Sequence, residues 1–312
     1  MSGSSDTRPP DLRSAAPGTL LMLFILTLIW GTNWPLFPLA VLEVSVWTFR
    51  AISGLVAALV LLAVARGRGL SLALPRAAWL PVGLGALFYM AVWNVASTYA
   101  ANLIPSGQAA ILGFTMPLWS VLITWSILGE PLRGRMLIAV ALGASAVALL
   151  MVPSFASYAQ APLGLALGLL SGLGWAIGTL IVKRSHIAVP IIVLTGWQLL
   201  LSSIPMTVGA LVVGDWRWFM PSWTSIAVIA YIALVPTSLG NLFWFSIVAS
   251  LPANVAGLSS IMVPIIAMLA GAFVHGEPLG VMQWLAMACC SGALSLVLLK
   301  PAAPASLARR RC

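Results

Sequence analysis

The sequence predicts an all-α, multi-pass membrane protein with ten transmembrane helices. They form two inverted five-helix repeats, and both termini are cytoplasmic. Three observations predict this. Ten apolar runs follow one another with short joints, basic residues gather on one side of them, and the second half of the chain repeats the first at a fixed offset. Composition sets the solvent: of 312 residues, 61% are hydrophobic and 7% charged, with a mean hydropathy of +1.07. A water-soluble domain carries about a quarter charged residues, so this surface belongs in lipid.

A span needs ~20 mainly apolar residues to cross the hydrocarbon core. Runs of that kind cover residues 18–40, 45–65, 77–101, 105–128 and 136–152, then 162–182, 189–213, 223–250, 252–275 and 279–299. The first repeat is accordingly 18–153 and the second 162–300, flanked by disordered cytoplasmic tails at 1–17 and 301–312. The first run is too long for the apolar core of a cleaved leader, so none is expected. With both termini inside, thirteen basic residues fall on the cytoplasmic side, Arg217 alone falls outside, and Arg50 lies within a span. Such asymmetry is the usual determinant of orientation. It places the chain in the cell inner membrane with the bilayer as its surroundings.

Self-comparison aligns residues 104–151 with 251–298 without gaps, at an offset of 147 that pairs Pro105 with Pro252. The same offset pairs Pro117 with Pro264, Asn94 with Asn241, and Gly129-Glu130-Pro131-Leu132 with Gly276-Glu277-Pro278-Leu279. Five helices separate the copies, and an odd number inverts the second copy across the membrane. Inverted repeats are the architecture of alternating-access carriers, with a site near the midplane.

Charge and cysteine usage exclude other classes. The net charge of +9 is scattered between apolar runs, which is not a nucleic-acid patch. Cys289 and Cys290 sit inside a run and Cys312 in the tail, with no cysteine–histidine spacing for a metal. No cofactor is expected. No span holds a pair of carboxylates or histidines, so an enzyme is not expected either.

Polar and aromatic residues inside the runs are the candidate lining of a path. Trp30, Asn33 and Trp34 share a helical face in the first span. Tyr89, Trp93, Asn94 and Tyr99 lie in the third, and Asn241 and Trp244 in its repeat partner, the eighth. Span six carries Trp175 near the repeat position of Trp30, and a Gly164, Gly168, Gly172 stripe suited to close packing. Gln198 in span seven is the counterpart of Arg50 in span two. Each asparagine either braces helices or holds substrate. Arg50 either snorkels to the outer interface or faces a cavity and attracts a carboxylate. Pro117 and Pro264, read as mid-span prolines, are candidate hinges. Glu130 and Glu277 precede prolines at helix ends and read as caps, His275 as an exterior loop residue.

Trp30-Gly31-Thr32-Asn33 in span one, Phe49-Arg50 in span two, Trp175-Ala176 in span six and Gly-Glu-Pro closing spans four and nine carry a resemblance. The chain resembles the EamA family of the drug/metabolite transporter superfamily over residues 18–300. Within it, the chain is similar to bacterial exporters of aromatic and other neutral amino acids. That implies an alternating-access exporter of small neutral metabolites; with no acid deep in a span, transport is expected to run down the substrate gradient. The alternatives are a proton-coupled exporter of other drugs or metabolites, or a channel or scramblase. Oligomeric state is left open, a monomer included.

The topology is tested by single-cysteine labelling from outside intact cells. Positions in the 66–76, 133–135 and 183–184 loops are expected to stay unlabelled; labelling at position 133 would sink the ten-helix arrangement.

Overall fold

A computed structural model describes residues 17–127, 129, 131, 134–157, 161–213, 221–250 and 253–298. The expectations for the two tails, for Glu130 and for the Asp215–Arg217 loop lie outside these residues.

Among the described residues the regular structure is entirely helical. Six segments are long and apolar enough to cross a membrane by length and composition: Val46–Gly67, Arg76–Leu103, Ser106–Ser126, Ala161–Arg184, Ile191–Val213 and Trp223–Trp244. Four shorter apolar helices accompany them: Leu21–Asn33, Gly134–Leu150, Met262–His275 and Val281–Leu296. The chain is therefore a multi-pass membrane protein.

In chain order the first repeat holds α1 (Pro17–Asn33), α2 (Leu36–Ala40), α3 (Val46–Gly67), α4 (Trp79–Gly85), α5 (Trp93–Leu103), α6 (Ser106–Gly113), α7 (Met116–Ser126) and α8 (Gly134–Ser157). The second holds α9 (Ala161–Arg184), α10 (Ile191–Val213), α11 (Trp223–Ile232), α12 (Gly240–Ser250), α13 (Ala253–His275) and α14 (Val281–Leu298). Two π-helical segments, Ala86–Val92 and Ala233–Leu239, join α4 to α5 and α11 to α12. They stand at the repeat offset of 147, so the backbone irregularity is itself repeated. Gly129 and Gly276, paired by the same offset, both take positive φ, 69° and 64°. That is the left-handed conformation a glycine supplies at a helix C-terminus without a Cβ clash.

Two expected helices are broken. The first run divides at Trp34 and Pro35, between α1 and α2. The fourth divides at Phe114 and Thr115, between α6 and α7. Pro117 consequently lies in the first turn of α7 rather than mid-helix. There its missing N–H costs little. Pro264 does lie inside its helix, α13.

Packing between the helices maps onto itself when the repeats are exchanged. α3 packs along α10, and α8 along α14. α1 contacts α12 and α13, as its counterpart α9 contacts α5, α6 and α7. The glycine stripe of α9 permits the last contacts. A Cβ added to Gly172 would stand 2.8 Å from the Gly113 carbonyl, and one on Gly168 2.8 Å from Leu112 Cβ. Small residues let backbones approach where lipid offers no hydrophobic drive.

Polar bonds tie the repeats at both ends of the bundle. Glu277 accepts from Ser106 N (2.6 Å), Ser106 Oγ (2.6 Å) and Gly107 N (3.0 Å), thereby capping α6. The capping role is as expected, but the capped helix lies 171 residues away in sequence. His275 Nε2 donates to the Pro35 carbonyl at 2.6 Å, so it braces the first break although its ring is exposed. Ser222 N donates to Glu43 at 2.7 Å. That bond and those from the Ser222 and Ser225 side chains hold the exposed Glu43 carboxyl below its ordinary range. A depressed folded-state pKa contributes at neutral pH and is lost as pH falls through it. At the opposite end Trp197 Nε1 donates to Leu72 O (2.8 Å), and Arg135 to Ser295 O (3.3 Å).

Glu277→Ala leaves the first N–H groups of α6 without that acceptor. It is expected to cost about 1–2 kcal/mol, seen as a lowered melting temperature in detergent, with Glu277→Gln intermediate.

Candidate functional site

Where the broken helices and π-segments meet, they leave a central cavity of about 620 Å³ of empty space, counting its open mouth. α1 supplies Trp30 and Asn33, the break after it Trp34, and α2 Phe37. Met90 comes from the first π-segment, Trp93 and Asn94 from α5, Phe114 from the break in span four, and Met116 from the start of α7. The second repeat contributes Trp175 of α9, Pro236 and Thr237 of the second π-segment, and Asn241 of α12. Arg50 of α3 completes the wall.

The tryptophans form one connected wall. Trp93 lies 4.5 Å from Trp175 and 6.0 Å from Trp34, both nearly edge-on. Trp30 meets Trp175 at 6.3 Å and 84°. Edge-to-face pairs of this kind satisfy the ring quadrupoles and fix ring orientation. Trp30 is held further by its Nε1–H, which donates to the Pro236 carbonyl at 3.0 Å. This bond crosses between repeats at the second π-segment.

The two repeat-related asparagines are held alike. Asn94 Nδ2 donates to Met90 O at 2.7 Å, and Asn241 Nδ2 to Thr237 O at 2.5 Å. Each side chain thus bonds the carbonyl one turn back, inside or beside a π-segment, while its residue lines the cavity. Bracing and lining are combined.

Arg50 is 3% exposed and does not snorkel. Its Nε donates to Thr98 Oγ1 at 2.5 Å, and Thr98 in turn donates to Asn94 O at 2.6 Å. Its guanidinium carbon lies 4.1 Å from the Phe37 ring centroid and 4.6 Å from that of Phe49. Two aromatic faces offset part of the cost of a buried cation. The interior arrangement wins because α3 lies against α5 and α10, with little lipid-facing route for the head group.

The cavity brings together Trp30, Asn33, Trp34, Trp93, Asn94, Trp175 and Asn241 from the residues singled out by sequence. It leaves four aside. Tyr89 is buried with its ring 4.2 Å from Trp175, and Trp244 stands 5.6 Å from Trp30, each outside the lining. Tyr99 is half-buried and away from the cavity. Gln198 is buried against Gly85, where an added Cβ would lie 2.9 Å from its Nε2. Pro117 and Pro264 do not line the cavity. Lining residues that the sequence pattern did not single out include Phe37, Phe114 and Met116. Their signal was proximity to Pro35 and Pro117, because a proline in an apolar run marks a break and breaks expose neighbouring side chains inward. Among the described residues no cluster of histidine, cysteine or carboxylate side chains could hold a metal ion.

The fold and cavity define a membrane transporter. Residues 17–152 and 162–299 each match the EamA-like transporter family, and the chain belongs to that family. It is 28% identical over 268 residues to the uncharacterized transporter YvbV of Bacillus subtilis, covering 84% of this chain and 85% of that protein. It is 26% identical over 279 residues to the uncharacterized inner membrane transporter YedA of Escherichia coli (strain K12), covering 89% of each. A shorter match, 26% over 189 residues and 58% of this chain, is to the Escherichia coli (strain K12) protein named "Probable amino-acid metabolite efflux pump", of which it covers 63%. A solved crystal structure shares the fold, with a TM-score of 0.63, 20% identity, and coverage of 94% of this chain and 99% of that one.

Trp175→Ala removes the ring shared by Trp30, Tyr89 and Trp93, and Asn241→Ala removes a lining amide. Both variants are expected to insert and fold but to lose transport tenfold or more. Unchanged flux at normal expression would return both residues to packing.

Proposed function

We propose that the protein is an alternating-access exporter of small neutral metabolites, amino acids including aromatic ones among them, in the cell inner membrane. One observation carries this reading: a cavity between two like repeats, walled by four tryptophans and three asparagines. Aromatic side chains stack on tryptophan, and amides bond polar groups without demanding one net charge. The ten spans, the inverted orientation of the repeats and the cytoplasmic termini belong to the same proposal. The repeat-related π-segments and the self-mapping helix contacts support it. The efflux pump of Escherichia coli supplies a relative whose printed name fits the substrate class.

Breaks in the first and fourth spans, with Pro264 in α13, are proposed as the points where the repeats flex. Hinges are commonly a few residues at element ends that absorb the backbone change. The described acids are engaged at the bundle end, Glu277 on α6 and Glu43 on Ser222, so the flux is proposed to run downhill.

Counterflow in proteoliposomes tests the reading. Unlabelled amino acid trapped inside is expected to accelerate entry of the radiolabelled species, which a channel does not do. Glu277→Gln is expected to retain this flux apart from folding losses. Acidification tied one-for-one to substrate movement and abolished by that change would make the carboxylate a coupling site instead.

A further inference from the structure

The cavity wall contains an uncompensated pair of polar atoms. Among the described residues, three buried side-chain atoms have no hydrogen-bond partner: Arg50 Nη2, Asn33 Oδ1 and Trp119 Nε1. The first two line the cavity, and they are complementary in kind, one a charged donor and the other an acceptor. Trp119 does not line it.

The charge balance is equally one-sided. No carboxylate stands among the cavity residues. The chain's six acids are Asp6, Asp11, Glu43, Glu130, Asp215 and Glu277. Of those described, Glu43 is committed to Ser222 and Glu277 to Ser106 and Gly107. Among the described residues Arg50 therefore has a hydroxyl and two ring faces, but no anion. A buried cation calls for a counter-charge, and intramembrane ionisable residues generally mark ligand pathways. Its planar guanidinium is held by Thr98 and Phe37, and a guanidinium is the group suited to carboxylate recognition.

We propose that Arg50 is the carboxylate subsite of this cavity and that Asn33 Oδ1 accepts from the amino group of the same substrate. The substrate class is then a compact molecule bearing both groups on an apolar body, such as an α-amino acid with a free carboxyl end. Cationic solutes are disfavoured by Arg50. The inference rests on the transporter reading above and deepens it.

Three probes with one phenyl body separate the two contacts: L-phenylalanine, L-phenylalaninamide, which lacks the carboxylate, and 3-phenylpropionate, which lacks the ammonium. Their affinities for the purified full-length chain in nanodiscs are measured by calorimetry. Wild type is expected to bind phenylalanine at least tenfold tighter than the amide, with phenylpropionate between them. Arg50→Gln is expected to lose tenfold or more for phenylalanine and to abolish its advantage over the amide. Arg50→Lys keeps the charge without the fork and should recover only part of it. Asn33→Ala should narrow the gap between phenylalanine and phenylpropionate alone.

The wild-type comparison needs no variant, so a folding defect in Arg50→Gln does not protect the proposal. Equal affinity for acid and amide in wild type overturns it. So does an Arg50→Gln protein of normal melting temperature that weakens both equally, or wild type that binds neither carboxylate. Counterflow of a carboxylate-free solute would in that case leave the transporter reading standing. Arg50-dependent binding without counterflow would do the reverse.

Discussion

In hydrocarbon every backbone N–H and C=O must find a partner inside the protein, and irregular backbone survives only where it is buried or lines a cavity. Among the described residues the apolar spans are interrupted at four places: the break at Pro35, the break at Phe114 and Thr115, and the two π-segments. Each is compensated by a named group. His275 donates to the Pro35 carbonyl, Thr115 Oγ1 to Leu112 O, Asn94 to Met90 O, and Trp30 with Asn241 to the second π-segment. All four irregularities border the same cavity. The site and the breaks in the helices are one feature, because a continuous helix would leave neither the space nor the inward-turned side chains.

The repeats share a scaffold and differ where chemistry is needed. Both carry a π-segment, an asparagine two residues beyond it and a left-handed glycine at offset 147. Yet span four is broken before Pro117, while its partner α13 runs through Pro264 as one helix. Arg50 on α3 faces the cavity, while Gln198 on α10 is buried against Gly85. A symmetric cavity could hold a substrate in two opposed poses. These departures give the cavity a polar end, with Arg50 stacked on Phe37 and Phe49, and an aromatic wall centred on Trp93 and Trp175.

Carboxylates serve here as braces. Glu277 caps a helix of the other repeat, and Glu43 binds the start of α11. A carboxylate at a helix N-terminus meets unsatisfied N–H groups and the positive end of the dipole. Such bonds join the repeats at the bundle end, and among the described residues Trp30 to Pro236 joins them beside the cavity. That distribution suits two bodies that must stay assembled while the space between them changes.

Composition, the ten apolar runs and the offset of 147 were legible in the sequence, because lipid fixes span length and a repeat is a property of the chain alone. Asn33, Trp93, Asn94, Trp175 and Asn241 reach the cavity as their residue types suggested, since a polar or aromatic side chain in an apolar run has few inexpensive places to point. The rest depended on tertiary structure. Nothing local distinguishes Tyr99 or Gln198 from Asn94, because the direction each faces is set by which helix packs beside it. The interior arrangement of Arg50 required Phe37, Phe49 and Thr98 to converge from three elements. The partner of Glu277 lay 171 residues away, where no periodicity could show it. Spacing along one chain encodes which face of a helix a residue occupies; only packing decides what that face meets.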